Sequence, residues 1–392
     1  MSNPNCLKVL HVIPSVSVLS GGPSKAIAMM EKALASLGVS VTTVTTDDDG
    51  PYKRRSSLGS TKSEPVHVSR IYFRKWIEYY KVAPTMVPWL WRHAREFDVI
   101  HIHALFSFSS VAAALIARLR GVPYVIRPLG TLTTYGITVR RRRLKRASLA
   151  CLEGPALREA AAVHFTSNQE KFEAEALGIP MRDVVIPLGI EPAKSSVDGL
   201  VFRHYPKLNA CKYVLYLSRL DPKKNVETLL HSFASIRATW PNVKLLLAGD
   251  GASSYVDSLK SLACDLDIQD SVVWTGHIAG PVKASAFANA ELFVLPSFSE
   301  NFGIAAAEAL MAGIPCILAS GVAIAKETAE AGAGLCVAPI VASISGALEQ
   351  LLGDQRMRAE MSVRAVAFAQ ARYSAETMGR ELTQLYTRLS KR

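Results

Sequence analysis

Four charged side chains and a short run of backbone amides have the types and spacing to hold an anion beside a polyhydroxyl ligand. Glu300 and Glu308, with seven residues between them, lie in the segment 296–315. The preceding Leu292-Phe293-Val294-Leu295 reads as a buried strand, Pro296 to Phe302 as the turn leaving it, and Gly303 to Ala312 as an Ala-rich helix stopped by Gly313 and Pro315. The amides at Gly303, Ile304 and Ala305 and the positive helix end then face the strand's carboxyl edge, where an anion would sit. Arg219 and Lys224, on the loop that leaves the apolar run Tyr213 to Leu217, supply two cations able to neutralise a pyrophosphate. Carboxylates beside such an anion need donors of their own, and sugar hydroxyls are the obvious ones. We therefore read Glu300 as facing a hexose and Glu308 as facing a ribose. Standing alone, Glu308 has the solvated face of an ordinary helix as its lesser alternative.

These residues must be positioned by the strand and helix alternation that runs through the whole chain. Leu7 to Ile13 reads as a strand that passes through Gly21-Gly22-Pro23 into a helix over Ser24 to Leu37. The glycine pair lets the backbone approach a ligand closely, although it is not the dinucleotide fingerprint. After the strand Val39 to Thr46 comes Asp47-Asp48-Asp49, which could hold a divalent metal in a different architecture; followed by Gly50 and Pro51, it reads as a solvated turn. Residues 51–65 read as a polar loop and Val66 to Phe73 as a strand. In the buried strand Asp98 to His103, His101 reads as core, whereas His103 at the carboxyl end is a candidate for orienting an acceptor. Further strands are expected within 123–130, which includes an exit loop, and at 162–167, 184–189, 243–248 and 272–277. The stretch 189–211, with Pro192, Gly199 and Pro206, reads as a hinge.

The chain has 392 residues, 49% hydrophobic and 20% charged, enough for two domains with separate cores. No run approaches the ~18 apolar residues of a membrane span, and the N-terminal stretch is unlike a signal peptide, so a cytoplasmic protein is expected. The six cysteines show no Cys-x-x-Cys pair and read as buried free thiols. The net charge of +12 is lopsided: residues 1–190 carry 25 Lys and Arg against 14 Asp and Glu, a surplus of 11, while 191–392 carry a surplus of 1. Much of it lies in Arg140-Arg141-Arg142-Arg143-Leu144-Lys145-Arg146, expected to continue as a helix through Leu152. Without aromatic interleaving or a nucleic-acid motif, this run fits an anionic membrane surface better than nucleic acid, with a solvated face as the ordinary alternative.

Together, the Gly21-Gly22 turn, the Ser218-Arg219-Leu220 loop ending in Lys224, Ala248-Gly249-Asp250-Gly251, the Gly276 turn and the Glu300 to Glu308 segment resemble the GT-B retaining glycosyltransferases of family four, in order and spacing. The resemblance implies an α/β fold of two Rossmann-like domains facing across a cleft. The first, acceptor-binding domain would span residues 1–190 and the nucleotide-sugar domain 191–373, with an amphipathic C-terminal helix from Ser374 crossing back to the first. It implies that Arg219 and Lys224 bind the donor diphosphate with amides at Gly303, Ile304 and Ala305, and that Gly249 belongs to the nucleotide loop. His277 and Ile278 would frame the base, Glu308 would hold the ribose, and Glu300 with Asn301 and Phe302 would contact the donor hexose. Gly21 and Gly22 would cover the phosphates. Many members carry a histidine in the exit loop of the fourth strand, where this chain has Arg127-Pro128-Leu129-Gly130; Leu129 stands at that place, or Arg127 if the alignment slips by two.

The expected activity is transfer of a hexose, glucose as first choice, from a UDP-sugar to an acceptor hydroxyl with retention and without cofactor or metal. The acceptor would be a saccharide or lipid-linked saccharide in cell-surface or extracellular polysaccharide synthesis, at the inner face of the plasma membrane. A nucleotide-sugar epimerase, a phosphorylase and a catalytically silent nucleotide-sugar-binding protein remain alternatives on the same fold.

Overall fold

Short runs rich in Val, Ile and Leu that are buried on both faces form parallel strands, and such runs recur in both halves of the chain. A computed structural model describes residues 6–17, 22–49, 59–63, 67–133, 142–191, 199–209 and 211–391. Gly21, Arg140, Arg141 and much of the expected hinge lie outside the described residues. The chain divides into two compact units, one of Met1–Gly189 with Ala375–Arg392 and the other of Ile190–Ser374.

The first unit holds strands β1 (Lys8–Val12), β2 (Ser40–Thr46), β3 (Gly59–Ser63), β4 (Val68–Phe73), β5 (Val99–His103), β6 (Tyr124–Arg127), β7 (Ala162–Phe165) and β8 (Asp183–Val185). They form one sheet in the order β3-β4-β2-β1-β5-β6-β7-β8, parallel except for the β3 edge. Strand β3 corrects the reading of residues 51–65 as loop throughout: its polar Gly-Ser-Thr-Lys-Ser carries no apolar alternation to betray it, and backbone pairing with β4 places it. All five residues of β5 are buried. The C-terminal helix Ala375–Ser390 turns Met378, Leu382, Leu385, Tyr386 and Leu389 inward, and its contacts are with the helix Gly22–Ser36 and with β5. A Cβ on Gly379 would come within 3.1 Å of the Ala33 carbonyl oxygen, so the glycine sets how closely these two helices approach.

The second unit holds β9 (Lys212–Leu217), β10 (Val243–Ala248), β11 (Val272–Gly276), β12 (Leu292–Leu295), β13 (Cys316–Ala319) and β14 (Gly334–Val337) in the order β11-β10-β9-β12-β13-β14, all parallel. The order reverses between β9 and β12, the switch point at which open parallel sheets bind ligands.

Three further expectations need correction. Asp47 and Asp48 are not a solvated turn: Asp48 is 4% exposed and pairs with both Lys75 and Lys81, while Asp47 accepts the Lys75 backbone N–H at 2.7 Å. Burial alone would raise the Asp48 pKa, but the two ammonium groups outweigh it and hold the carboxyl below its usual range. The cysteines are all free, but only Cys316 is buried. The basic helix does not run on regularly: Arg142–Ser148 passes into a π-helical turn, Leu149–Glu153, before the helix Gly154–Glu159.

Candidate active site

At the switch point of the second unit, the loop after β9 is held by glycine. A Cβ on Gly249 would lie 1.8 Å from the Ser218 carbonyl oxygen, and one on Gly251 would lie 2.1 Å from that of Leu220, so the 249–251 loop can pack against 218–220 only without side chains. The contact is sealed by the Leu220 N–H donating to the Asp250 carbonyl at 2.8 Å. Arg219 is exposed on this loop, and the 3-10 turn Pro222–Lys224 follows, capped by Asp221. Asn225, in the left-handed conformation at φ 57°, donates its side-chain amide to the carbonyls of Pro296 and Pro339, each at 3.2 Å. The cation loop is thereby tied to the loop that carries Glu300.

The two carboxylates each meet a lysine. Glu300 forms an ion pair with Lys224, with side chains 18% and 9% exposed. Glu308, in the second turn of the helix Ile304–Met311, pairs with Lys283 at 2.6 Å. Gly303 precedes that helix at φ 89°, a backbone conformation natural to glycine, and the amides of Ile304 and Ala305 begin it. Lys223 is a third cation beside Arg219 and Lys224. Burial first, and then the neighbouring charges of Lys224 and Arg219, lower its pKa, so an anion placed here would relieve the crowding. Neither Lys223 nor Lys283 was singled out from the sequence; Lys283 lies on another helix, and no spacing connects it to Glu308.

The other expected residues divide by exposure. His277 is exposed and Ile278 buried after β11, and Asn301 is half-buried. Phe302 is 4% exposed, and its ring packs edge-on to Tyr373 at 5.4 Å, so its side chain does not contact a hexose and only its backbone remains for one. Gly22 opens the first helix of the first unit.

His103 requires a larger correction. Its ring is wholly buried, stacked on His11 at 4.9 Å and on His101 at 4.3 Å, and removed from ligand contact. It belongs to a buried cluster of His11, His101, His103, His164, Arg127 and Tyr386. His164 Nε2 donates to the Ile186 carbonyl at 2.7 Å, so its Nδ1 must accept, and His101 Nε2 faces it at 3.4 Å. His101 Nδ1 is then left to accept the Tyr386 hydroxyl at 2.7 Å. Burial, aided by the Arg127 charge, pushes His11 and His164 down to about 3, and burial followed by the neighbouring histidines and Arg127 lowers His101 and His103. The signal available in the sequence was the shared level of His11 and His101, direct partners in the β1–β5 register. The donor atoms of His11, His101 and His103 lie within 4.8 Å of one another. They fit a metal ion poorly, because both nitrogens of His101 are engaged and Arg127 repels a cation. Arg127 is 3% exposed at the end of β6, its pKa lowered by burial to about 10. In the β6 exit loop Leu129 takes φ 58°.

The family model described as "Glycosyl transferases group 1" matches residues 202–367, and "Glycosyl transferase 4-like domain" matches 21–189. The chain belongs to the group 1 glycosyltransferases. This glycosyltransferase is 26% identical over 309 residues to phosphatidyl-myo-inositol mannosyltransferase of Mycolicibacterium smegmatis, covering 76% of this chain and 73% of that one. Alpha-monoglucosyldiacylglycerol synthase of Streptococcus pneumoniae is 37% identical over 140 residues, 34% of this chain and 31% of the relative. The glycosyltransferase likewise spans less than half the length of several other curated relatives. Anabaena HepE, solved with UDP-glucose, superposes with a TM-score of 0.76 at 20% identity over 97% of this chain and all of that one. The GT-B type of fold follows; at that identity the superposition carries no more.

Proposed function

We propose that this glycosyltransferase moves a hexose, glucose as first choice, from a UDP-sugar to an acceptor hydroxyl with retention at the anomeric carbon. The observation that carries this reading is the convergence of Arg219, Lys223 and Lys224 with the start of the helix Ile304–Met311 at the β9/β12 switch point, a place built for a diphosphate. Lys224, held by Glu300, and the helix amides stabilise the negative charge that grows on the departing diphosphate. That leaving group accepts the acceptor's proton on the face it vacates, so no side-chain nucleophile is needed. The cations supply the charge that a metal would otherwise bring, and activity is expected to survive EDTA; complete loss restored by manganese would overturn this. The mannosyltransferase relative keeps mannose as the rival sugar.

The acceptor in this reading belongs to cell-surface or extracellular polysaccharide synthesis, and the enzyme works in the cytoplasm against the inner face of the plasma membrane. Among the described residues no helix is long and apolar enough to cross a membrane. A panel of nucleotide sugars tests the reading: slow hydrolysis of one donor supports a transferase, epimer formation supports an epimerase, and binding without turnover supports a silent binding protein.

A further inference from the structure

The first unit contains a cavity of about 1230 Å³ at the carboxyl edge of its sheet, where Pro14 follows β1 and Leu105 and Phe106 follow β5. Its far wall is the helix Arg142–Ser148 with the π-helical turn Leu149–Glu153, which contribute Leu144, Lys145, Cys151 and Leu152. Three features argue against a water-soluble sugar as its occupant. The lining is overwhelmingly apolar, whereas a saccharide needs convergent hydrogen-bonding groups. The volume exceeds the roughly 300–1,000 Å³ usual for a small-molecule site. One wall is cationic: Lys145 lies 5.7 Å from the Phe106 ring centroid, with Arg143 and Arg146 exposed on the same helix, whereas the other lining lysine, Lys81, is paired with Asp48 and stands beside the lining carboxylate Glu78.

The backbone around the cavity is also strained in a pattern suited to a binding site. Tyr80, Lys81 and Phe106, all lining it, have φ of 63°, 48° and 56°, and neighbouring Ala104 has 75°. Left-handed non-glycine residues are costly and gather where a surface must keep a particular shape. The π-helical turn in the opposite wall is another such irregularity.

We propose that this cavity takes the hydrocarbon chain of an anionic lipid acceptor, with the phosphate-bearing head at the Lys145 wall. That the lipid is the acceptor rests on the transferase reading; that the cavity binds it does not.

Cys151 provides a built-in reporter because it is exposed and lines the cavity, while Cys264 and Cys336 are exposed in the other unit. Alkylation by N-ethylmaleimide, followed residue by residue by peptide mass spectrometry, should slow at least five-fold at Cys151 when decyl phosphate is added below its micelle concentration. Cys264 and Cys336 should be unaffected, and inorganic phosphate should protect nothing. Ala147→Trp, which fills the cavity from its wall, should abolish the protection. Lys145→Ala should weaken protection by decyl phosphate several-fold and leave that by decanol unchanged. No slowing at Cys151, equal slowing at all three cysteines, or equal protection by inorganic phosphate would overturn the proposal. If Cys151 is protected but no nucleotide sugar turns over, the cavity stands and the transferase reading falls. Transfer to a water-soluble saccharide at full rate, without protection of Cys151, removes the cavity proposal alone.

Discussion

The two units handle charge in opposite ways. In the second unit, Arg219, Lys223, Lys224, Lys283, Glu300 and Glu308 stand on loops and helix starts at the sheet edge, where a ligand can exchange with their ion pairs. In the first, four histidines and Arg127 are sealed inside the sheet, and the histidines escape the cost of burial by staying neutral. Sites of exchange must leave their charges within a ligand's reach, whereas the buried groups of the first unit either stay neutral, as the histidines do, or hold their charge against burial, as Arg127 and the Asp48–Lys75 pair do. Ring chemistry alone therefore does not mark a functional histidine.

The largest effect expected from this contrast is on the stability of the first unit. His11 and His164 have folded pKa values near 3 against an ordinary 6.5, so each takes up a proton on unfolding once the pH is below 6.5. Their contribution is intact above that value and is lost as the pH falls towards 3. At pH 5 the loss is about 2 kcal/mol for each, about 4 kcal/mol together. Urea unfolding at pH 7.5 and pH 5 measures it. A first unit equally stable at both would mean that the cluster is hydrated or already charged, and the contrast would fail.

Lys224→Ala strikes the other region. It removes a cation from the diphosphate and leaves the Glu300 carboxylate in its place, so sugar transfer should fall by about 10²–10³-fold, the scale for losing one preorganised donor to developing charge. The folded stability of the first unit should not move. Turnover within ten-fold of wild type would take Lys224 out of the reaction.

The middle-sized effect separates the two carboxylates. If Glu308 holds the ribose, Glu308→Gln should weaken a charge-assisted hydrogen bond, generally about 1.5–3 kcal/mol, but the Lys283 pair must be exchanged for that bond, so the lower end is expected: about ten-fold weaker UDP binding. Glu300→Gln should leave UDP binding unchanged and weaken the sugar nucleotide. Calorimetry giving equal losses for both ligands in both variants would end this division of labour.

The same contrast explains what could be read from the chain itself. The parallel strands and the donor loop were legible because apolar runs, glycine turns and the Glu300 to Glu308 spacing are local patterns. Lys283 was not, because its partner lies on another helix, and the partners of Asp48 were not, because Lys75 and Lys81 meet it only through the tertiary fold. His103 misled for a related reason. A strand's carboxyl end suggests ligand contact, but His11, the register partner of His101, hydrogen-bonds His103 at 2.8 Å, and all three rings are buried. Sequence position gave the edge of the sheet, and packing decided which side chains face out.

An effect of similar size, confined to stability, sits where the C-terminal helix meets the buried cluster. Tyr386 is fully buried, and its hydroxyl has to be the donor to His101 Nδ1, because the bonds from His101 to His164 and from His164 to Ile186 fix the remaining protons. Tyr386→Phe keeps the ring and its packing but leaves a buried acceptor without its donor, at a cost of about 1–3 kcal/mol. The first unit should melt earlier by a few degrees, while UDP affinity, which the proposed reading assigns to the second unit, should stay at the wild-type value. If UDP binding falls in step with stability, the histidine cluster is coupled to donor binding, and the separation between a sealed interior and an exchanging edge would have to be abandoned. If the melt does not move, the bond from the Tyr386 hydroxyl to His101 adds nothing net to the stability of the first unit, and the cluster is held by ring packing and burial alone.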